Sequence, residues 1–448
     1  MVDRIREIAL KVLYKVDVEG AYSNLVLDEI LKQYRKSVDE RDIGLISEIV
    51  YGVTTWRLTL DVIVNKYSKL RLKKISPWIL NVLRMGIYQI VFLDKIPKSA
   101  AVNECVNLAK RYGHRSSSNF VNAILRKVEK SDYEKLFEIE DDLERISKTT
   151  SMPVWIVEEL LKDIDIKEVE KICANSNLKP KVSIRINNLK TSKQELIKRF
   201  ENEKICTENG VIDDFLILNK TKNIESLESF KNGLFTVQDE AAGLISIILN
   251  PTEKDIVLDA CSAPGGKTTY LAEIMKNKGE IEAWDIYEHR LKLVEENAKR
   301  LGIKNIATEV KDATIFDEQY KEKFDKILLD VPCFGIGVLK RKPDIKWRRS
   351  KEDLKSIAEA QEKILQNCSN YLKKDGEIVY STCSILSEEN EKIIEKFLKK
   401  NKNFKLEKIG PTNSGKYFEK FVKKEGYIQV YQNEKTDGFF IAKIRKIG

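Results

Sequence analysis

The chain has 448 residues, 42% hydrophobic and 33% charged, a length that suggests about three domains and an apolar content that excludes a disordered chain. Only 20 glycines and 9 prolines exclude collagen-like and low-complexity classes. Lys and Arg outnumber Asp and Glu by 79 to 70, a formal charge of +9 that carries meaning only where it clusters.

No stretch approaches the roughly 18 uninterrupted apolar residues of a membrane span. The N-terminus, Met1-Val2-Asp3-Arg4-Ile5-Arg6-Glu7, lacks the basic-then-apolar layout of a secretion signal, so a soluble cytoplasmic protein without membrane partners is expected. Seven cysteines without a C-x-x-C pair, and two histidines, argue against a disulfide framework and leave a zinc site almost without ligands. The thiols are expected to be free, in a reducing compartment, and no metal is expected.

The first 145 residues read as helix throughout. Ile5, Ile8, Ala9, Val12, Leu13 and Val16 repeat at helical spacing. Ser76-Pro77 has the form of a cap followed by proline at the first helical position, and Trp78 to Leu93 is apolar enough for a central buried helix. Helices over about 99–112, ending at Gly113 as a C-terminal cap, and 117–128 complete a bundle. Lys66, Lys69, Arg71, Lys73 and Lys74 form a basic run that is either a solvated connection or a phosphate contact. The polar, acidic stretch 130–144 reads as a linker. A mixed α+β segment over 146–235 follows, with helices near 153–163, 167–175 and 192–201 and strands over 181–187 and around 215–218.

From 236 onward strands and helices alternate: strands at 256–259, 281–286, 306–310, 326–330 and 377–382, with helices from Thr268, over 288–301 and over 352–372. Tyr427 to Ile444 reads as two strands joined through Asn433 to Gly438. This is a doubly wound, mainly parallel sheet, whose ligands bind at the carboxyl ends of the strands.

The loop after the first of these strands is Asp259-Ala260-Cys261-Ser262-Ala263-Pro264-Gly265-Gly266-Lys267-Thr268. A dinucleotide loop needs G-x-G-x-x-G, and these glycines are adjacent. A P-loop needs a glycine where Cys261 stands. The remaining reading is an S-adenosyl-L-methionine site, where glycines let the backbone approach the cofactor's amino-acid end beside a helix start. Asp285, ending the second strand, can accept from ribose hydroxyls, and Asp312, after the third, from the adenine amino group.

Cys333 and Cys383 follow the fourth and fifth strands and so fall on the ligand edge. Cys105, Cys173, Cys206 and Cys368 are expected to be small buried apolar residues. Two thiols converging with a methyl donor suit cytosine chemistry. Carbon 5 is a poor nucleophile until a thiolate adds to carbon 6 and makes it enamine-like. Either cysteine could fill either role on these grounds.

Asp259 to Lys267, Asp330-Val331-Pro332-Cys333 and Ser381-Thr382-Cys383-Ser384 resemble the motif set of the RNA cytosine-5 methyltransferase family. Pro180 to Asn187 resembles its upstream segment, and Val237-Gln238-Asp239-Glu240-Ala241 its entry to the catalytic domain. Asn119-Phe120-Val121-Asn122-Ala123-Ile124-Leu125-Arg126 resembles the signature of the NusB-like RNA-binding domain. The resemblance covers nearly the whole chain. It implies an all-α NusB-like domain over 1–145, a small α+β connecting domain over 146–235 and a Rossmann-like class I methyltransferase domain over 236–448. It implies that Cys383 is the nucleophile, that Cys333 helps resolve the covalent adduct, and that Asp330 stands between cofactor and base. Lys267 either reaches the base or is only solvated. The implied cofactor set is Cys261, Ser262, Ala263, Pro264, Gly265, Gly266, Lys267, Asp285, Asp312 and Asp330. The implied substrate is 16S ribosomal RNA, free or in a partly assembled subunit, at the cytosine conventionally numbered 967. A transfer-RNA enzyme of the same chemistry and a non-catalytic assembly factor are the alternatives.

Residues 340–351 hold seven cations and one acid, with Trp347 among them. Lys340, Arg341, Lys342, Arg348 and Arg349 could neutralise phosphates and Trp347 could stack on a base, unless the stretch is a solvated loop. Arg185 and the run near Lys66 are further candidates for gripping RNA. A target base that must leave its stack points to an unpaired nucleotide.

Overall fold

A computed structural model of the chain describes residues 3–34, 39–219, 223–410 and 417–448. Met1 and Val2 of the N-terminal segment read above lie outside these. The chain forms two units, one of Met1–Leu178 with Leu339–Arg348, the other of Lys179–Val338 with Arg349–Gly448. No helix among the described residues is long and apolar enough to cross a membrane.

The first unit is helical. Its core is built on the helix Pro77–Phe92, whose residues Ile79, Val82, Leu83, Met85, Ile87 and Ile90 are buried against Arg4–Val18, Glu40–Thr55, Lys98–Tyr112 and Arg115–Leu125. Arg84 lies inside this helix at 3% exposure because its charge is met. Nε and Nη2 reach the two oxygens of Asp61 at 2.7 and 2.8 Å, and Nη1 reaches Asp17. Ser76 and Pro77 begin the central helix as expected. Gly113 is the C-terminal cap of its helix, as expected, and takes an extended conformation there (φ −140°, ψ −152°).

The stretch 130–144 is not a linker. Ser131–Glu134, a 3-10 turn over Lys135–Glu138 and the start of Asp142–Thr150 occupy it. Its Asp132 is buried and accepts from Lys66 Nζ, Tyr67 Oη and the Glu129 amide. Lys66 is therefore spoken for at one end of the basic run.

The segment Leu339–Arg348 differs most from the sequence reading. Ile345–Arg348 makes one helical turn, and that turn directs Lys346 inward. At 2% exposure its Nζ donates to Asn177 Oδ1 at 2.7 Å and to the carbonyls of Thr55 and Ser151, each at 3.3 Å. Trp347 Nε1 donates to the Thr54 carbonyl at 2.7 Å, and the Arg57 guanidinium lies over the indole. The Asp344 carboxylate accepts from Ser23 Oγ at 2.7 Å. Arg348 stacks over Tyr22 and donates to the Gly20 carbonyl. A charge count over 340–351 sees seven cations; it cannot see that the chain turns two of them, Lys346 and Arg348, into packing, with Trp347 between them.

The second unit holds two sheets. Strands β1 (Val182–Ile186), β2 (Cys206–Asn209), β3 (Phe215–Asn219) and β4 (Phe235–Val237) form an antiparallel sheet in the order β2-β3-β1-β4. Ser192 caps the helix Lys193–Asn202 through a reciprocal box with Glu195. Cys206 lies exposed on the edge strand, not buried as expected, whereas Cys105, Cys173 and Cys368 are buried.

The larger sheet contains β5 (Ile256–Asp259), β6 (Glu280–Asp285), β7 (Ile306–Val310), β8 (Phe324–Asp330), β9 (Leu372–Thr382), β10 (Phe404–Glu407), β11 (Ile428–Val430) and β12 (Phe439–Lys446). Its order is β10-β12-β9-β8-β5-β6-β7, with β11 paired to β12. The β5 to β9 pairings are parallel, and β12 joins β9 antiparallel, which makes the sheet mixed. From β5 the chain winds outward through β6 and β7, then crosses back to β8 and β9. The order therefore reverses between β5 and β8, where ligand crevices form in such sheets.

Burial pushes the Lys346 ammonium down to about 7. The unfolded chain keeps this lysine protonated up to about pH 10, so between pH 7 and 10 the unfolded state binds the extra proton and stability rises with pH. Denaturant unfolding at pH 7 and 9 should show the wild type gaining about 2 kcal/mol more than Lys346→Met over that interval. Equal gains would contradict it.

Candidate active site

The loop leaving β5 is held from three sides. Ser262 donates through its amide and its Oγ to the Trp284 carbonyl at the end of β6, at 2.8 and 3.0 Å. Asn297 Nδ2 and Arg290 Nη2, from the helix Glu288–Leu301, donate to the carbonyls of Pro264 and Ala263 at 3.0 and 3.3 Å. Thr268 Oγ1 donates to Asp259 Oδ2 at 2.7 Å. Gly265 takes φ +97°, and a side chain there would press on the Val294 backbone at 3.1 Å. Gly266, the first residue of the helix Gly266–Ile274, is different. A Cβ built on it would meet nothing nearer than Gln238 Nε2 at 3.8 Å. The protein's own packing does not require glycine there; a molecule lying against the loop would.

Asp285 is buried at the end of β6, paired with Arg290 at 3.1 Å and accepting from the Tyr287 amide at 3.1 Å. Asp312 lies exposed after β7 and closes its own turn by accepting from the Thr314 amide and hydroxyl at 2.8 and 2.7 Å. Cys261 is half-buried in the loop.

Strands β8 and β9 pair with Asp330 opposite Ser381, so the chain beyond each strand emerges side by side. Cys333 Sγ and Cys383 Sγ stand 2.9 Å apart, both half-buried. Asp330 receives Lys267 Nζ on Oδ2 at 2.7 Å and Ser381 Oγ on Oδ1 at 2.9 Å. Lys267 also faces the Phe439 ring at 5.7 Å. Burial opposes its charge, but the Asp330 carboxylate outweighs that and holds the ammonium above its usual range. Four residues singled out from the sequence, Lys267, Asp330, Cys333 and Cys383, thus meet at one place.

The Cys333 thiol lies well above its ordinary value, first through its hydrogen bond with Cys383, then through burial and the nearby Glu389 and Asp330 carboxyls. Two adjacent thiols can support one thiolate while the other keeps its proton and donates to it. Such an arrangement can supply a nucleophile and a proton carrier within one hydrogen bond.

The residues that hold the thiols escaped the sequence reading. Glu389, fully buried, accepts on Oε1 from the Phe334 amide at 2.7 Å and from Gln361 Nε2 at 3.1 Å. Gln361 Nε2 also donates to the Pro332 carbonyl at 2.9 Å, and Tyr380 Oη to the Glu389 carbonyl at 2.7 Å. On the other side Thr382 Oγ1 donates to Asn390 Oδ1 at 2.6 Å, and the Gly337 amide to the Cys383 carbonyl at 2.9 Å. Glu388-Glu389-Asn390 has the look of a solvated polar run, and nothing local marks its burial.

Arg185 is not an RNA contact. It is fully buried, over the Tyr270 ring at 4.5 Å. Its five N–H groups go to Glu273 (3.2 and 2.8 Å), Thr269 Oγ1 (3.1 Å), the Gly266 carbonyl (2.7 Å) and Gln238 Oε1. It fastens β1 to the helix that begins at Gly266. Of the basic segment, Arg349 lies over Phe334 at 5.8 Å, beside the Cys333 loop.

Three family models match the chain: the NusB family over residues 3–130, an RsmF/B-like methyltransferase ferredoxin-like domain over 152–225, and 16S rRNA methyltransferase RsmB/F over 246–445. The chain is 36% identical, over 99% of both sequences, to the "Probable ribosomal RNA small subunit methyltransferase B" of Bacillus subtilis (strain 168). It is similar to the crystal structure of PH0851, with a TM-score of 0.82 and 26% identity over 100% of both chains. It is also similar to NSun6 from Pyrococcus horikoshii with SFG, with a TM-score of 0.57 and 25% identity, covering 66% of this chain and 98% of that one. The fold is thus a NusB-type helical domain, a small ferredoxin-like domain and a Rossmann-like methyltransferase domain.

Burial raises the Glu389 carboxyl to about 7. Between about pH 4.5 and 7 the unfolded chain ionises this group while the folded chain keeps its proton, so stability falls as pH rises through that window. Unfolding free energies at pH 5 and 7.5 should show the wild type losing about 2 kcal/mol more than Glu389→Gln. Parallel losses would contradict the assignment.

Proposed function

We propose, from the premise that the chain belongs to the RsmB/F family of 16S rRNA methyltransferases, that it transfers the methyl group of S-adenosyl-L-methionine to carbon 5 of a cytosine in 16S ribosomal RNA. The observation that carries the finer part of this reading is the pair of thiols 2.9 Å apart beside the Lys267–Asp330 ion pair. Methylation of an oxygen or an exocyclic amine needs no thiol.

The cofactor fits the loop on one structural ground: Gly266 leaves open the space that a side chain would fill, at the start of a helix. Cys261, Ser262, Ala263, Pro264, Gly265, Gly266 and Lys267 would line its amino-acid end, Asp285 would accept from the ribose hydroxyls and Asp312 from the adenine amino group. When bound, the cofactor supplies an electrophilic methyl group on a sulfonium. Asp330 accepts from the polar edge of the cytosine, and Lys267 keeps Asp330 oriented.

The Cys383 thiolate adds to carbon 6, and the electrons of the 5,6 double bond move to carbon 5. With the cofactor bound, carbon 5 would form its bond to the methyl group as the methyl–sulfur bond breaks. The leading cause of the raised Cys333 thiol is its hydrogen bond with Cys383. Once the Cys383 sulfur is bonded to carbon, that cause is gone. Cys333 is then free to ionise and take the carbon-5 proton, the double bond re-forms, and Cys383 leaves as thiolate.

Residues 1–145 are assigned to RNA contact, 146–235 to connection and 236–448 to chemistry. Lys340, Arg341, Lys342, Trp347, Arg348 and Arg349 are the candidates in this segment for contact with the RNA. The family resemblance points to cytosine 967, in free RNA or a partly assembled subunit in the cytoplasm.

Replacing the nucleophile should cost on the order of a thousandfold in turnover or more. With the purified protein, RNA and cofactor, Cys383→Ala should give no methylation while still binding the cofactor. Cys333→Ala should accumulate a protein–RNA species that migrates slowly on a denaturing gel. Wild-type turnover by Cys383→Ala, or no such band with Cys333→Ala, would overturn the roles.

A further inference from the structure

Gln238 lies just after β4, before Asp239 caps the helix Glu240–Leu249. The residue is 7% exposed, and its Oε1 accepts from Arg185 Nη1. A guanidinium offers donors and no acceptor, so the amide atom facing it must be the oxygen. The orientation of the amide is therefore set by chemistry. Nε2 points the other way and is buried with no partner. A buried N–H pair left unmatched is unfavourable, and such a group asks for an acceptor from outside the chain.

Nε2 lies beside Gly266: it is the nearest atom to a Cβ built there, at 3.8 Å, an ordinary van der Waals contact. Gly266 begins a helix of nine residues, whose first amides have no acceptor within the helix and whose dipole is positive at this end. Arg185, buried on the same side, donates to the Gly266 carbonyl at 2.7 Å and so holds both the amide and the helix start. The groups there without an acceptor, Nε2 and the first amides of the helix, are donors and favour an anion with lone pairs.

We infer that Gln238 Nε2 is a binding group for the carboxylate at the amino-acid end of the methyl donor, and that Arg185 is the positioning residue that aims it. This rests on the cofactor reading above and extends it to a residue outside the glycine loop. It also gives the small antiparallel sheet a part in cofactor binding, because Arg185 stands on β1.

The test separates the cofactor's two ends. S-adenosylhomocysteine carries the carboxylate; 5′-methylthioadenosine has the same nucleoside without it. Gln238→Glu keeps the acceptor for Arg185, removes both donors and sets a carboxylate against a carboxylate. Calorimetric titration of the full-length protein should show S-adenosylhomocysteine binding weakened at least tenfold and 5′-methylthioadenosine binding changed less than twofold. Equal weakening of both ligands would reduce Gln238 to a structural role, and no weakening would overturn the inference while leaving the cofactor reading intact. Weakened RNA binding with unchanged S-adenosylhomocysteine binding would also overturn it, by assigning Nε2 to a phosphate. Wild-type protein that binds neither nucleoside would overturn the cofactor reading, and the inference with it. Should Gln238→Glu fail to melt cooperatively, Gln238→Met is read by the same ratio of the two affinities.

Discussion

The parallel pairing of β8 with β9, Asp330 opposite Ser381, is the constraint from which the site follows. Because both strands run the same way, their carboxyl ends open on one edge, and the turns beyond them place Cys333 and Cys383 in contact. Because β5 lies on the other side of β8, the glycine loop opens on that edge too, and Lys267 can reach Asp330. A register slip of one residue would turn Asp330 to the opposite face of the sheet and separate the four groups.

Keeping two thiols in place requires rigid turns, and the turns are held by buried polar groups. Glu389, Gln361 and Tyr380 clamp the Cys333 side; Thr382 and Asn390 clamp the Cys383 side. Beneath the loop, Asp259 is raised to about 7, chiefly by burial and then by the nearby Asp330 charge. Glu240, holding the Ile212 amide under the helix that follows Gln238, is also raised to about 7 by burial. Asp259, Glu240 and Glu389 are thus buried carboxyls that resist ionisation, each tied to a backbone amide or hydroxyl that shapes the site. Stability is traded for geometry here.

The parts legible in the sequence are those whose signal is local. Strands β5 to β9 announce themselves as short apolar runs, the loop by its adjacent glycines, and the two cysteines by standing just past strand ends. The helix Glu240–Leu249 was missed because it is apolar all round and shows no period. The edge strand β10 was missed because its four residues are too few for one. Lys346, Trp347 and Arg185 were misplaced for another reason. Their partners, Asn177 and Thr55, Thr54, and Glu273 with Gln238, lie 50 to nearly 300 residues away. A basic side chain reads as solvated until the acceptors that let it be buried are known. Glu389 shows the same limit for an acid.

The central claim is that this edge of the sheet builds 5-methylcytosine in small-subunit RNA. Its most direct test is to incubate the purified protein with S-adenosyl-L-methionine and unmodified 16S ribosomal RNA, then map 5-methylcytosine by bisulfite sequencing. A single new mark at an unpaired cytosine is the predicted result. No mark in free RNA or in a partly assembled subunit, with the cofactor shown to bind, would contradict the assignment.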